Sequence, residues 1–338
     1  MTDVLFQSGL FFGSLVLMSV SSFVLTVALE RIGVSLKLSE GLLGIVTALG
    51  ADSPEISASI MALSAGHREL GVGVVLGSNI FNLAALLGLS ALLTGLVRVR
   101  TADALFSGGI ALLGTVIGAA LIIGLLPAPL ALLLIFLLVG PYIWVVALSP
   151  TRIKHLPLPH FAATFLVRAV EPIKQDVEKH GRARASLLHW LLVLPALFAI
   201  VSGSRGIVSA AVWLAERFSI SHAIAGTLGI AALTGIPNAV AAIRLAQHGR
   251  GAAVAAECFN SNTLNIVFGI CLPALIIGLG APSSRTFFSL GWLGAMTVTA
   301  TALLCWRGGL RRANGAALVA LYLLFVGAIV FWPKSIAP

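Results

Sequence analysis

Ten long apolar runs, separated by short connections, are the constraint that every fold of this chain must meet. They lie at about 5–29, 41–65, 70–96, 104–126, 129–148, 187–215, 222–247, 252–279, 287–306 and 313–332. Roughly 20 apolar residues cross the hydrocarbon of a bilayer as a helix. The runs are continuous, not alternating segments of about ten residues, so helices are expected rather than the strands of a barrel. Only 10% of the 338 residues are charged and the mean hydropathy is +1.06; soluble domains carry about 25% charged residues. Lipid is the solvent that fits. The formal charge of +9 does not point to nucleic acid, because no basic helix carries interleaved aromatics and the positive charges sit between the runs. There they act as topology signals facing anionic lipid.

The stretch 149–186 is the one long polar segment, with Arg152, Lys154, Arg168, Lys174, Lys179, Arg182 and Arg184. It is expected as a basic loop between a first five-span unit, 1–148, and a second, 187–338. With this loop in the cytoplasm, Arg31, Lys37, Arg98, Arg100, Arg250, Arg307, Arg311 and Arg312 share its side, and only Arg68, Arg217, Arg285 and Lys334 lie opposite. That asymmetry places both termini outside a multi-pass cell-membrane protein. The N-terminus lacks the basic n-region of a signal peptide, so the first run is expected as a retained helix. Five is odd, so two related halves would cross the membrane in opposite senses, as an inverted repeat.

The halves are related. A gap-free shift of 183 residues superposes Pro54 on Pro237, Gly66 on Gly249, Ser78 on Ser261, Asn79 on Asn262 and Asn82 on Asn265. Gly50 and Pro54 interrupt an apolar run, and proline removes a backbone donor, so a broken helix is expected there. Such a break survives in lipid only where its carbonyls find protein, water or an ion. Two carboxylates, Asp52 and Glu55, stand beside it, and intramembrane acids are functional by default. Ser78 and Asn82, at i and i+4, share one helical face. Carboxylates, hydroxyls and carbonyls are hard ligands suited to sodium or calcium.

Gly50-x-x-x-Pro54-Glu55 followed by Gly77-Ser-Asn-Ile-Phe-Asn82 resembles the first alpha-repeat of the sodium/calcium exchangers, within the cation/calcium exchanger superfamily. The resemblance covers 41–95 closely and 224–278 more weakly. It implies an all-helical fold of ten helices in two inverted repeats. Broken second and seventh spans, with the third and eighth, would surround a midplane site while the first and sixth slide past. It also implies Glu55 as the main carboxylate ligand, with oxygens from Ser78 and Asn82. Ala51-Asp52 stands where the family usually has Thr-Ser, which adds a carboxylate. The second repeat keeps oxygens at Thr234, Asn238, Ser261 and Asn265 but has Asn238 where the family commonly has a glutamate. Asp52 is either a further ligand or the cap of the half-helix at Pro54. Asn79 and Asn262 are candidates for bonding across helices.

Two more charges sit inside apolar runs. Glu257, four residues before Ser261, either replaces the missing acid as an outer ligand or proton carrier, or pairs with Arg244. Arg205 either snorkels to the interface or serves as a tethered cation near the site. Cys258, Cys271 and Cys305 form no disulfide or zinc spacing, and the seven histidines are scattered. The expected function is cation antiport without a resident cofactor and without enzymatic chemistry, with small inorganic cations and lipid as partners. Sodium-driven calcium exchange is the first reading, proton/cation exchange the second, and a non-transporting ion-binding membrane protein the third. Oligomeric state is not readable.

Overall fold

Once water is excluded, an apolar run must satisfy its backbone internally, and the helix ladder does so within the run. The computed structural model describes residues 2–38, 40–148, 150–178 and 185–331, and among them these runs form helices. In the first half they are α1 (Thr2–Ser35), α2 (Glu40–Ala51), α3 (Ser53–Ser64), α4 (Arg68–Thr94), α5 (Thr101–Ile122) and α6 (Ala128–Ala147). Two helices, α7 (Pro150–Lys154) and α8 (His160–Glu178), fill much of the segment expected as a loop. The second half contains α9 (Leu187–Arg217), α10 (His222–Thr234), α11 (Ile236–Gln247), α12 (Gly251–Leu275), α13 (Ser284–Cys305) and α14 (Arg312–Val330). Lys179, Arg182, Arg184 and Lys334 lie outside the described residues.

Eight of these helices are long and apolar enough to cross a membrane, and α10 with α11, bent by 44°, brings the number among the described residues to nine. The remaining expected span, 41–65, is divided into α2 and α3 at Asp52, each twelve residues long and shorter than a spanning helix needs. Large apolar side chains stand on the outside, among them Phe6, Phe23, Phe136, Leu194 and Phe198, while Asp52, Glu55, Asn79 and Asn265 are buried. This inside-out distribution belongs to a multi-pass membrane protein.

The two halves keep the same offset in structure. Helices α3 and α11 begin and end 183 residues apart, as do α5 and α13, and α4 starts at 68 where α12 starts at 251. Both α4 and α12 carry a π-helical stretch, at Leu83–Leu89 and Val267–Cys271. Such wider turns recur at functional sites. A departure from a purely helical fold is a two-stranded antiparallel ribbon, β1 (Leu96–Arg98) and β2 (Gly309–Arg311), pairing Val97 with Leu310. It ties the α4–α5 connection to the α13–α14 connection.

Burial is greatest along α4, which forms the axis of the molecule. It crosses α10 so closely that Gly77 lies against the backbone of Thr227, and Gly226 against the carbonyl of Leu70. Helices α1 and α9 pack on each other through small residues, with Gly203 against Met18 and Gly206 against Ser14. On the other flank, Val167 of α8 packs with Tyr142, Val145 and Val146 of α6 and Ile153 of α7, next to Ile45 of α2.

Candidate functional site: a buried oxygen cluster at the helix breaks

Proline at the second position of α3 lacks an N–H that the first helical turn would leave unpaired in any case, so the break costs little there. The carbonyls freed by it are already occupied. Ser53 Oγ donates to the Gly50 carbonyl at 2.6 Å, and Ser22 Oγ of α1 reaches the Gly50 and Ala51 carbonyls at 2.9 and 3.1 Å. Sequence reasoning missed Ser22; the signal was a cluster of serines in an otherwise apolar first run. In the second half, Thr234 Oγ1 turns back on the Ile230 and Ala231 carbonyls at 3.0 and 3.3 Å just before Gly235 and Pro237.

Asp52 holds the N-cap position of α3 but makes no capping bond, so that alternative fails. Its Oδ1 accepts from Asn238 Nδ2 at 3.1 Å and from Ser261 Oγ at 2.9 Å, both from the second half. Its Oδ2 is buried without a partner, and so are both oxygens of Glu55, Ser78 Oγ and Asn265 Oδ1. Asp52 is 0% and Glu55 1% exposed. Two acids in one dry interior, with several lone pairs unused, are unfavourable by several kcal/mol unless positive charge joins them. A proton or an oxygen-coordinated cation would remove that penalty.

Four asparagines hold the two halves together. Asn79 Nδ2 donates to the Asn262 carbonyl at 3.0 Å, and Asn262 Nδ2 to the Asn79 carbonyl at 3.1 Å. Asn82 Nδ2 donates to Asn262 Oδ1 and Asn265 Nδ2 to Asn79 Oδ1, each at 3.1 Å. Every bond has its counterpart 183 residues on, the reciprocal pattern of a two-fold contact. Asn79 and Asn262 are thus structural ties. Asn82 and Asn265, expected as oxygen donors, spend their amide nitrogens on the same ties, and Asn265 keeps a free oxygen. Asn262→Ala is expected to orphan partners on both helices at about 1–2 kcal/mol in a membrane protein. A lowered unfolding midpoint in detergent, larger than that of a surface alanine variant, is the measurement.

The two additional charges separate. Arg244 is exposed and forms no ion pair with Glu257. Glu257 is half-buried with Oε2 unpartnered. Arg205 is exposed on the outward stripe of α9, with Leu194, Phe198 and Val201, and turns away from the cluster. A further contact went unread in the sequence. Tyr142 of α6 donates to Asn260 Oδ1, closing the flank of α12 one residue before Ser261. Asn260 stands where the first half has Gly77.

The model of the sodium/calcium exchanger protein family matches residues 6–150 and 188–331, nearly all of both halves. The chain belongs to this family. Inner membrane protein YrbG of Escherichia coli is 28% identical over 288 residues, 85% of this chain and 83% of that protein. Sodium/calcium exchanger MaX1 of Methanosarcina acetivorans is 24% identical over 133 residues, 39% of this chain and 38% of that protein. The crystal structure of the H+/Ca2+ exchanger CAX superposes with a TM-score of 0.71 over 98% of this chain and 83% of that one, at 16% identity. The sodium-calcium exchanger NCX_Mj superposes with a TM-score of 0.60 over 98% and 100% at 19% identity. At these identities the superpositions establish a shared fold. Membership in this family points to a transporter of small cations rather than an enzyme.

Proposed function

We propose that this chain is a cation antiporter which exchanges calcium for sodium by alternating access at the cluster of Asp52 and Glu55. The observation that carries this reading is the pair of fully buried carboxylates whose remaining oxygens lack partners, beside the free oxygens of Ser78 and Asn265. Calcium takes about six to eight oxygen ligands, so a cluster of hard oxygens with negative charge suits it, and monovalent cations of similar size compete for the same oxygens. Ions that need the same oxygens displace one another, which is the basis of exchange.

The architecture in this reading is ten spans in two inverted repeats, with α2–α3 and α10–α11 as the broken members. The constant offset of the helices and the reciprocal asparagine bonds support it. The small-residue contact of α1 with α9 supports their sliding as a pair past the core. The excess of basic residues in one set of connections supports termini outside and 149–186 in the cytoplasm. Thr234 and Asn238 complete the site from the second half as neutral oxygens, so net charge there rests on the first half.

One observation favours protons in place of sodium: Glu257 presents an unpartnered oxygen on the face of α12 that carries Ser261, under the field of Asp52. A carboxylate there can pass a proton to or from the dyad. The experiment is calcium uptake into sealed vesicles containing the pure protein, driven by an outward sodium gradient or by a pH gradient without sodium. Sodium-dependent uptake is expected. Uptake driven by pH alone transfers the assignment to proton coupling, and Glu257→Gln is then expected to abolish it. Calcium binding without flux under either gradient makes the chain a non-transporting member.

A further inference from the structure

The segment between the halves carries a second feature, unrelated to the oxygen cluster. Residues 150–170 contain Arg152, Lys154, His155, His160 and Arg168, and the first acid of the segment is Glu171. Within it, α8 has two faces. Ala163, Val167 and Ala169 are buried, and Val167 packs against α6 and α7. On the other side, His160, Thr164 and Arg168 follow at i, i+4 and i+8, a single polar strip. Beside that strip stand Phe161, 77% exposed, and Phe165, which contacts Phe106 of α5 edge-on at 6.4 Å. Facing them, Thr101 and Leu105 of α5 form the opposite wall of a groove of about 400 Å³.

A groove with a cationic polar rim along one strip and exposed aromatic surface along the next matches a molecule with an anionic head and an apolar tail. An exposed phenylalanine on an amphipathic helix is unfavourable in water and favourable at the acyl boundary of a bilayer. A guanidinium makes paired, charge-assisted bonds to phosphate oxygens. We propose that the α5–α8 groove binds an acidic phospholipid of the surrounding leaflet, with its phosphate on Arg168 and His160 and its acyl chains across Phe161 and Leu105. The ligand is a lipid rather than a free phosphate because the groove opens beside apolar surface, including Leu158 just before α8. The groove's place next to α2, through the contact of α8 with Ile45, means that an occupant also braces the cytoplasmic end of the broken helix. This inference rests on the placement of 150–170 at the membrane surface and not on which ions are exchanged.

The test is native mass spectrometry of the delipidated full-length protein in detergent, with phosphatidylglycerol or phosphatidylcholine added at equal concentration. Phosphatidylglycerol is expected to bind about tenfold more tightly, and Arg168→Glu to remove that preference. Arg311→Glu, an exposed arginine at the same end but outside the groove, is expected to leave it intact. Arg168→Gln serves if the glutamate variant does not fold. Equal binding of the two lipids overturns the proposal. So does an equal loss in both arginine variants, which would be diffuse attraction to basic surface. Displacement of the lipid by glycerol 3-phosphate at equal concentration would make the groove a free-phosphate site and overturn it as well. Each readout is independent of flux, so a failed transport assay leaves it standing.

Discussion

Glu55→Gln is expected to abolish calcium uptake while the protein remains folded and monodisperse in detergent. Both Glu55 oxygens are buried and bond to nothing in the protein, so the fold loses no hydrogen bond when the charge is removed. Calcium loses a unit negative charge. At about 4 Å and an effective dielectric of about 20, that charge is worth roughly 4 kcal/mol for each charge on its partner, so its loss toward a divalent ion costs at least about three orders of magnitude in affinity. Asp52→Asn differs, because Asp52 Oδ1 already accepts from Asn238 and Ser261 and an asparagine oxygen can go on accepting. It is expected to weaken calcium binding with those bonds kept. Calorimetric titration of calcium on both variants, next to vesicle flux, separates affinity from turnover. Uptake that persists in Glu55→Gln would remove the cluster as the transport site.

Gly77→Ala is expected to cost folded protein outright. The added methyl would overlap the carbonyl, carbon and Cα of Thr227, all main-chain atoms that no rotamer change can move aside. Overpacking of this kind costs about 1–3 kcal/mol where side chains can yield, and more where they cannot. Gly226 presses on the Leu70 carbonyl in the same crossing, so a shift that relieves one contact tightens the other. Gly229→Ala is the control. It lies on α10, as Gly226 does, with nothing within 4 Å of the new methyl, and alanine is the better helix former there. Yield after size-exclusion chromatography should collapse for Gly77→Ala and hold for Gly229→Ala. Equal yields would mean that α4 and α10 do not cross as closely as described.

Several features were legible from the residues alone. Apolar length set the helices, because a backbone in lipid has no other way to pair its donors and acceptors. The break at Pro54 was legible because proline lacks a donor, and the kinship of the halves because Pro, Ser-Asn and Asn recur in one register. Asp52 and Glu55 stood out because charge in an apolar run needs a reason.

Other features depended on which helices face each other. The spacing around Pro54 announced free carbonyls, yet Ser22, twenty-eight residues from Gly50, takes them, since α1 lies against the break. Glu257 and Arg244 looked like partners across an antiparallel pair, but Arg244 turns outward while Glu257 is half-buried. Arg205 has the same sequence character as Glu257, a charge inside a span. One sits on a helix face packed inward and the other on an outward stripe, a difference of rotation about the helix axis that local sequence does not encode. The segment 149–186 read as a loop because its charges hide the apolar strip of Val167 and its neighbours, which becomes a helix face only when α6 and α7 are there to cover it.

By itself, the sequence determined that this chain lives in a membrane, that it is built twice over, and that two acids stand at a broken helix. These are properties of composition, repetition and single residues. Tertiary structure decided which oxygens remain unpartnered for an ion, because Asn238 and Ser261 reach Asp52 from residues about two hundred positions away and Asn79, Asn82, Asn262 and Asn265 consume one another. A side chain's spare bonding capacity is what its neighbours leave, and those neighbours are assigned by packing.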